Sequence, residues 1–325
     1  MKTINEALIS AIHNQNEKEL IPVLMTLLNL GKQSVYRRLR GEIPFTLEEA
    51  SILSLNMGFS IDNIINQKNI DNNAISTGLS DEADLQDTYI GSINKFSRLL
   101  EKTRKSKNSA LFSVSNQLLY DCPIFFENLT KMKYFRWTHQ RFNISDDLNF
   151  SDFLLPAPVT SAIKNLIYNY VSIETHTIIL DQSLLRTTIT EINYFYERNL
   201  ISVSDLELLQ NELLQIIDEL EILAIKGHYK SGSKVNIYLS SLSLENNCIL
   251  LEDVDGICFQ TELNTEESLF IFNPRLCYNQ KKWINSLKKY STLISESNEF
   301  SRSRFFKKQR DAIKNLKKYE KLLYI

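Results

Sequence analysis

The chain has 325 residues, 43% of them hydrophobic, and a formal net charge of −2 at pH 7. That is apolar material enough for an ordinary core and length enough for two domains. Only 8 glycines and 6 prolines argue against a turn-rich all-β protein and against low complexity, and the near-neutral charge leaves affinity for a polyanion to local clusters.

The N-terminus, MKTINEALIS, lacks the apolar stretch of a secretion signal. Thr3 and Glu6 have the spacing of a capping box, opening a helix with Ile4, Leu8 and Ile12 on one face. Leu20, Leu24, Leu27 and Leu28 predict a second helix. The apolar run Leu20–Leu30 is about half of the roughly 20 residues that a membrane span needs, and Pro22 interrupts it. A break at Asn29-Leu30-Gly31 precedes a third helix, Lys32–Arg40, stopped by Gly41. Thr46 and Glu49 form another capping box, for a fourth helix ending at Met57-Gly58, and Ser60 starts a short fifth with Ile61, Ile64 and Ile65. A polar, Asn-rich segment follows, so the expected organisation is a domain over 1–66, a linker over 67–81 and a larger domain over 82–325.

In the larger domain a long helix is expected over about 82–105, then a short strand at Ala110–Val114. Helices follow at about 159–171, 181–199 and 204–226, the last with Leu206, Leu209, Leu213, Ile216, Leu220 and Leu223 as a core-facing stripe. Val235, Ile237 and Leu239 alternate with polar residues, 249–251 and 257–259 flank Asp255-Gly256, and Leu269–Phe272 adds a fourth strand. Helices at about 278–294 and 299–322 complete a mainly α chain with a small antiparallel sheet, an α+β class.

Lys32, Arg37, Arg38 and Arg40 put four cations on a helix roughly 13 Å long. With Val35 and Leu39 anchoring one face, Gln33, Tyr36, Arg37 and Arg40 project from the others, a shape and chemistry suited to the edges of bases in a DNA major groove. This stretch resembles the Xre/Cro (phage-repressor-type) helix-turn-helix family. The likeness rests on Gly31-Lys32-Gln33-Ser34-Val35, Arg40-Gly41, Pro44-x-Thr46-Leu47-Glu48-Glu49 and Met57-Gly58-Phe59-Ser60-Ile61-Asp62-Asn63-Ile64-Ile65. It implies a five-helix, lambda-repressor-like domain in which Lys32, Gln33 and Arg37 read bases while Ser34, Tyr36 and Arg40 hold phosphates or flanking edges. Arg38 departs from the family pattern, which favours a large apolar side chain near this position. The whole chain is also similar to a group of bacterial regulators of this architecture, through Ser291-Thr292-Leu293-Ile294-Ser295 and Arg302-x-Arg304-Phe305-Phe306.

The resemblance implies a cytoplasmic transcriptional regulator with double-stranded DNA as partner and, since residues 1–66 hold six cations against seven acids, a homodimer to raise affinity. The larger domain would dimerise and sense an unknown small-molecule or protein effector. Two other readings stay open: a protein-interaction adaptor that keeps the fold without using it on DNA, and an RNA-binding protein working through the basic segment 302–321. That segment holds nine cations against Asp311 and Glu320. The aromatic-rich Tyr120–Phe142 suits a core or a ligand pocket. His139 and His176 have no nucleophile or carboxylate placed beside them by spacing, and Cys122, Cys248, Cys258 and Cys277 form no CxxC pair. Without a Walker motif, GxGxxG or GxSxG, no enzymatic activity, metal, cofactor or membrane association is expected.

Overall fold

A computed structural model describes residues 3–13, 20–59, 61, 64, 75–77, 85–118, 125–141, 148–264 and 267–316. The chain divides into two compact units, Met1–Ala74 and Ile75–Ile325. The protein is a mixed α/β molecule in which helices predominate beside one mixed sheet.

In the first unit, the backbone N–H of Thr3 donates to Glu6 Oε2 (2.7 Å) and that of Glu6 to Thr3 Oγ1 (3.2 Å), opening α1 (Ile4–His13). Helices α2 (Leu20–Leu28), α3 (Lys32–Leu39) and α4 (Leu47–Met57) follow. Ala7, Leu8, Ile12, Leu24, Val35, Ala50, Leu53, Met57 and Ile64 are buried together as this unit's core. Ile4, expected on the inner face of α1, is exposed. Thr46 and Glu49 cap α4 reciprocally, and Gly58 ends it in the left-handed conformation. The fifth helix expected from Ser60 falls mostly outside the described residues.

The second unit is built on a sheet of eight strands in the order β1-β7-β6-β5-β2-β3-β4-β8. In chain order these are β1 (Ile75–Thr77), β2 (Ala110–Ser115), β3 (Thr175–Leu180), β4 (Lys234–Ser240), β5 (Cys248–Asp253), β6 (Gly256–Asn264), β7 (Glu267–Ile271) and β8 (Ser291–Leu293). Strands β2, β3 and β4 are parallel neighbours, and the other pairings are antiparallel. The expected small antiparallel sheet is therefore corrected to a larger mixed one. The sequence reading missed β3 because Thr-His-Thr-Ile-Ile-Leu is buried on both faces beyond its first residue, and such a strand shows no polar alternation. Inside the expected linker, 75–77 pair with β7 as an edge strand, and Ser291–Leu293, expected to be helical, pairs with the edge of β4. The hairpin turn also moves by one residue. Asp253 faces Gly256, so Val254 and Asp255 form the loop, and Asp253 Oδ1 accepts from the N–H groups of Asp255 and Gly256.

Among the described residues, seven helices accompany the sheet: α5 (Leu85–Lys105), α6 (Glu127–Arg141), α7 (Ala157–Val171), α8 (Arg186–Glu197), α9 (Val203–Lys226), α10 (Pro274–Lys288) and α11 (Glu299–Lys314). One main core joins buried residues of α5–α9 and α11 to Leu111, Ile178, Leu180, Val235, Ile237, Leu239, Ile249 and Leu251. The alternate residues Val114, Ile179, Cys248 and Leu250 face the other way and meet Ile284 and Leu287 of α10. The Ser291–Arg302 motif has a structural use. Ile294 N–H donates to Ile237 O, Ser295 Oγ accepts from Ile237 N–H, and the Arg302 guanidinium donates to Ile294 O and Ser297 O, which fixes the exit from β8 into α11.

Candidate nucleic-acid interface

Helix α3 is positioned by structure at both of its ends. Asn29, at φ 52°, turns the chain off α2, and Leu30 N–H donates back to Met25 O (3.2 Å). This is the six-to-one bond of a Schellman stop. Gly31 then leads into α3 with extended dihedrals. At the far end Gly41 N–H donates to Arg38 O and Glu42 N–H to Arg37 O, both at 2.9 Å, with Gly41 at φ +74°. Asn5 Oδ1 of α1 accepts from Phe45 N–H (3.1 Å), tying down the loop beyond.

Gly41→Ala should destabilise the first unit by about 1 kcal/mol, because a side chain disfavours the left-handed well. The nearest atom to a new Cβ is Ile9 Cδ1 at 3.9 Å, so crowding adds nothing. Hydrogen exchange of the α1–α4 amides reads this loss. Gly31→Ala serves as the neutral comparison, since its φ is −68° and nothing lies within 4 Å of its Cβ position.

Val35 is the fully buried residue of α3, and Leu39 packs partly beside it. The helical period then turns Lys32, Gln33, Tyr36, Arg37 and Arg40 outward. All five are exposed, and Ser34 is half-buried at the flank. Arg38 lies on the inner side. Its guanidinium grips the Glu49 carboxylate through two nitrogens, at 2.7 and 3.0 Å, and both side chains are about 15% exposed. Glu49 also accepts from Thr46 N–H (2.9 Å). Burial pulls the Glu49 carboxyl upward, but the bonds from Arg38 and Thr46 outweigh it and leave the carboxyl below its ordinary range. Arg38 thus lies on the inner side of α3 with its charge balanced by Glu49.

A carboxylate that sequence reasoning passed over stands among the outward cations. Glu42 lies 3.3 Å from Arg37 Nε and 3.1 Å from Arg40 Nε, and all three side chains are well exposed. The signal for it was Gly41, because a Schellman stop folds the next residue back alongside the last turn.

The other candidates have different fates. Tyr134, Phe135 and Trp137 are core residues stacked against Tyr89, Phe150, Phe153 and Phe195, so the aromatic segment builds the interior of the second unit; Tyr120 and Phe142 lie outside the described residues. On α11, Arg310 is held by Asp218 and Glu221 and Arg302 by backbone carbonyls, leaving Arg304, Lys307, Lys308 and Lys314 exposed. Lys317, Lys318 and Lys321 lie outside the described residues. The ends of β2 and β3 (the usual ligand edge of a parallel sheet) are occupied by the chain's own loop. Asp181 accepts from Ser183 and from Leu244 N–H, while Asn116 donates to Leu244 O and Glu245 O.

An open cleft of about 270 Å³ lies between α9 and the 228–231 turn, lined by Ile222, Leu223 and Tyr229 with Glu219, Lys226, His228 and Lys230. It falls just below the size range common for small-molecule sites. No cluster of metal-ligating side chains occurs among the described residues, and no described helix is long and apolar enough to cross a membrane. No family model, curated protein or solved structure matches the chain.

Proposed function

We propose that the chain is a sequence-specific DNA-binding transcriptional regulator, whose first unit is a helix-turn-helix of the Xre/Cro type with α3 as its reading helix. The observation that carries this reading is the outward row of Lys32, Gln33, Tyr36, Arg37 and Arg40 on a helix anchored by Val35 and stopped at both ends. Lys32, Gln33 and Arg37 have the groups to read base edges, Gln33 and Arg37 being matched to adenine and guanine, whereas Ser34, Tyr36 and Arg40 serve phosphates and flanking positions. A single copy presents few cations, so a homodimer reading two half-sites about one helical turn apart supplies the affinity. The second unit holds that dimer together and receives a small-molecule or protein effector.

Selection of duplexes from a random pool by the full chain tests the reading. A shared motif should emerge in successive rounds, and an unchanged pool would end the proposal. Glu42 sharpens the test, because its carboxylate competes with phosphate for Arg37 and Arg40. Glu42→Gln should tighten duplex binding about threefold or more and steepen its salt dependence, as expected when exposed ion pairs worth less than about 1 kcal/mol are released to the nucleic acid. Weaker binding by this variant would instead make Glu42 a base-reading group.

A further inference from the structure

We propose that the outward face of α10 is a second nucleic-acid surface, one that takes single-stranded DNA or RNA. From Ser268 to Ser295 the chain contains no Asp or Glu but five cations: Arg275, Lys281, Lys282, Lys288 and Lys289. Helix α10 buries Cys277, Ile284 and Leu287 and turns its other side to solvent. Lys281 is engaged with Glu252, and Lys288 lies over the Tyr238 ring. Arg275, Lys282 and Lys289 are exposed, and no ion pair holds them among the described residues.

These three cations recur every seven residues, so they form one line with charges about 10 Å apart along the axis. One position further round, at the same spacing, stand Leu276, Trp283 and Tyr290, which are 47%, 45% and 58% exposed, with Tyr278 at 52% nearby. A row of free cations beside the exposed rings of Trp283, Tyr290 and Tyr278 matches a phosphate backbone with its bases turned toward the protein.

The occupant follows from both rows. In a duplex the base faces are stacked inside and closed to Trp283 and Tyr290, whereas a single strand offers them. A second copy of this helix would set an acid-free cationic face against itself. Sinking the face into a membrane would strip water from Asn279, Lys282 and Asn285, which are interspersed with the rings.

Trp283 reports on the site directly. The chain has two tryptophans, and Trp137 is buried in the core. Titrating the full chain with a 20-nucleotide oligothymidine, and separately with oligouridine, should quench Trp283 fluorescence saturably with at least one of them. Anisotropy of the labelled strand should show Trp283→Ala weakening binding about tenfold. Replacing Arg275, Lys282 and Lys289 together by Ala should lower the salt slope by about 2. The Gln33→Ala/Arg37→Ala double variant should bind the single strand as wild type does, which separates this surface from duplex reading by α3. Near-UV circular dichroism confirms that each variant keeps its core. The proposal is overturned by an unquenched Trp283, by wild-type strand affinity in Trp283→Ala, or by phosphatidylserine vesicles shifting Trp283 emission where neither strand does. Self-association that is lost in Trp283→Ala without strand binding would also overturn it.

Discussion

Changing Gln33 and Arg37 together to Ala should abolish recognition of a selected duplex while leaving the fold intact. Each well-formed contact of these side chains with a base edge is worth about 1–3 kcal/mol. Losing both should cost at least about thirtyfold in affinity on the selected site and far less on unrelated duplex, where phosphates dominate. The fold should be indifferent, because both residues are exposed and Arg37 gives up only a surface pair with Glu42. Arg38→Ala makes the contrast one residue away. It leaves the mostly buried Glu49 carboxylate without its guanidinium, so it should lower the stability of the first unit by about 1–3 kcal/mol. Gel shifts at several salt concentrations, read beside thermal unfolding, separate the two effects. Equal affinity of the double variant and wild type for the selected site would remove α3 from recognition.

The second large effect is on acid stability. His176 of β3 is fully buried between the Tyr170 and Tyr229 rings, with centroids 5.1 and 4.9 Å away. Its Nε2 lies 3.2 Å from Ile173 O, and its Nδ1 has no hydrogen-bond partner among the described residues. The neutral ring carrying its proton on Nε2 satisfies this site, and a second proton would be buried on Nδ1 with no acceptor among the described residues. Burial therefore pushes the imidazole pKa down to about 3, against a small opposing pull from the Ile173 carbonyl.

An unfolded chain protonates His176 near pH 6.5, whereas the folded one resists until about pH 3. The neutral ring's contribution is thus complete above pH 6.5 and is lost as pH falls through that window, at about 1.4 kcal/mol per pH unit. Asp181 and Asp205 also have lowered pKa values: burial raises each, but bonds from Ser183 and Leu244, and from Ser151 and Ser202, outweigh it. Their contributions are present above the ordinary carboxylate range and lost below it, so between pH 6.5 and about 4.5 the histidine is the group to watch. Urea unfolding followed by Trp137 fluorescence should show a falling midpoint over that window. His176→Gln, which cannot titrate, should flatten it even if the variant is less stable at pH 7. An unchanged slope in the variant would show that the acid sensitivity comes from elsewhere.

How far the chain can be read without its fold depends on the range of the interaction. The capping boxes at Thr3/Glu6 and Thr46/Glu49, and the stops at Gly41 and Gly58, each involve a few neighbouring residues and produce the same structure in most surroundings. The outward set on α3 was equally legible, since Val35 and Leu39 are the only large apolar residues that can anchor that helix. The stripe on α9 and the alternation in β4 were visible for the same reason.

The sheet was not legible to that degree. Thr175–Leu180 becomes a central strand only because β2 and β4, more than fifty residues away on either side, supply hydrogen bonds to both its edges. Ser291–Leu293 is a strand only because β4 has an edge left to pair. The partnering of charges was hidden over much shorter spans. Glu42 pairs with Arg37 and Arg40 because a left-handed glycine folds it back, and Arg38 turns inward because Glu49 arrives from another helix to meet it. Local backbone preferences are written into short words of sequence. Strand pairing belongs to groups brought together from far apart, and it exists only once the chain has closed on itself.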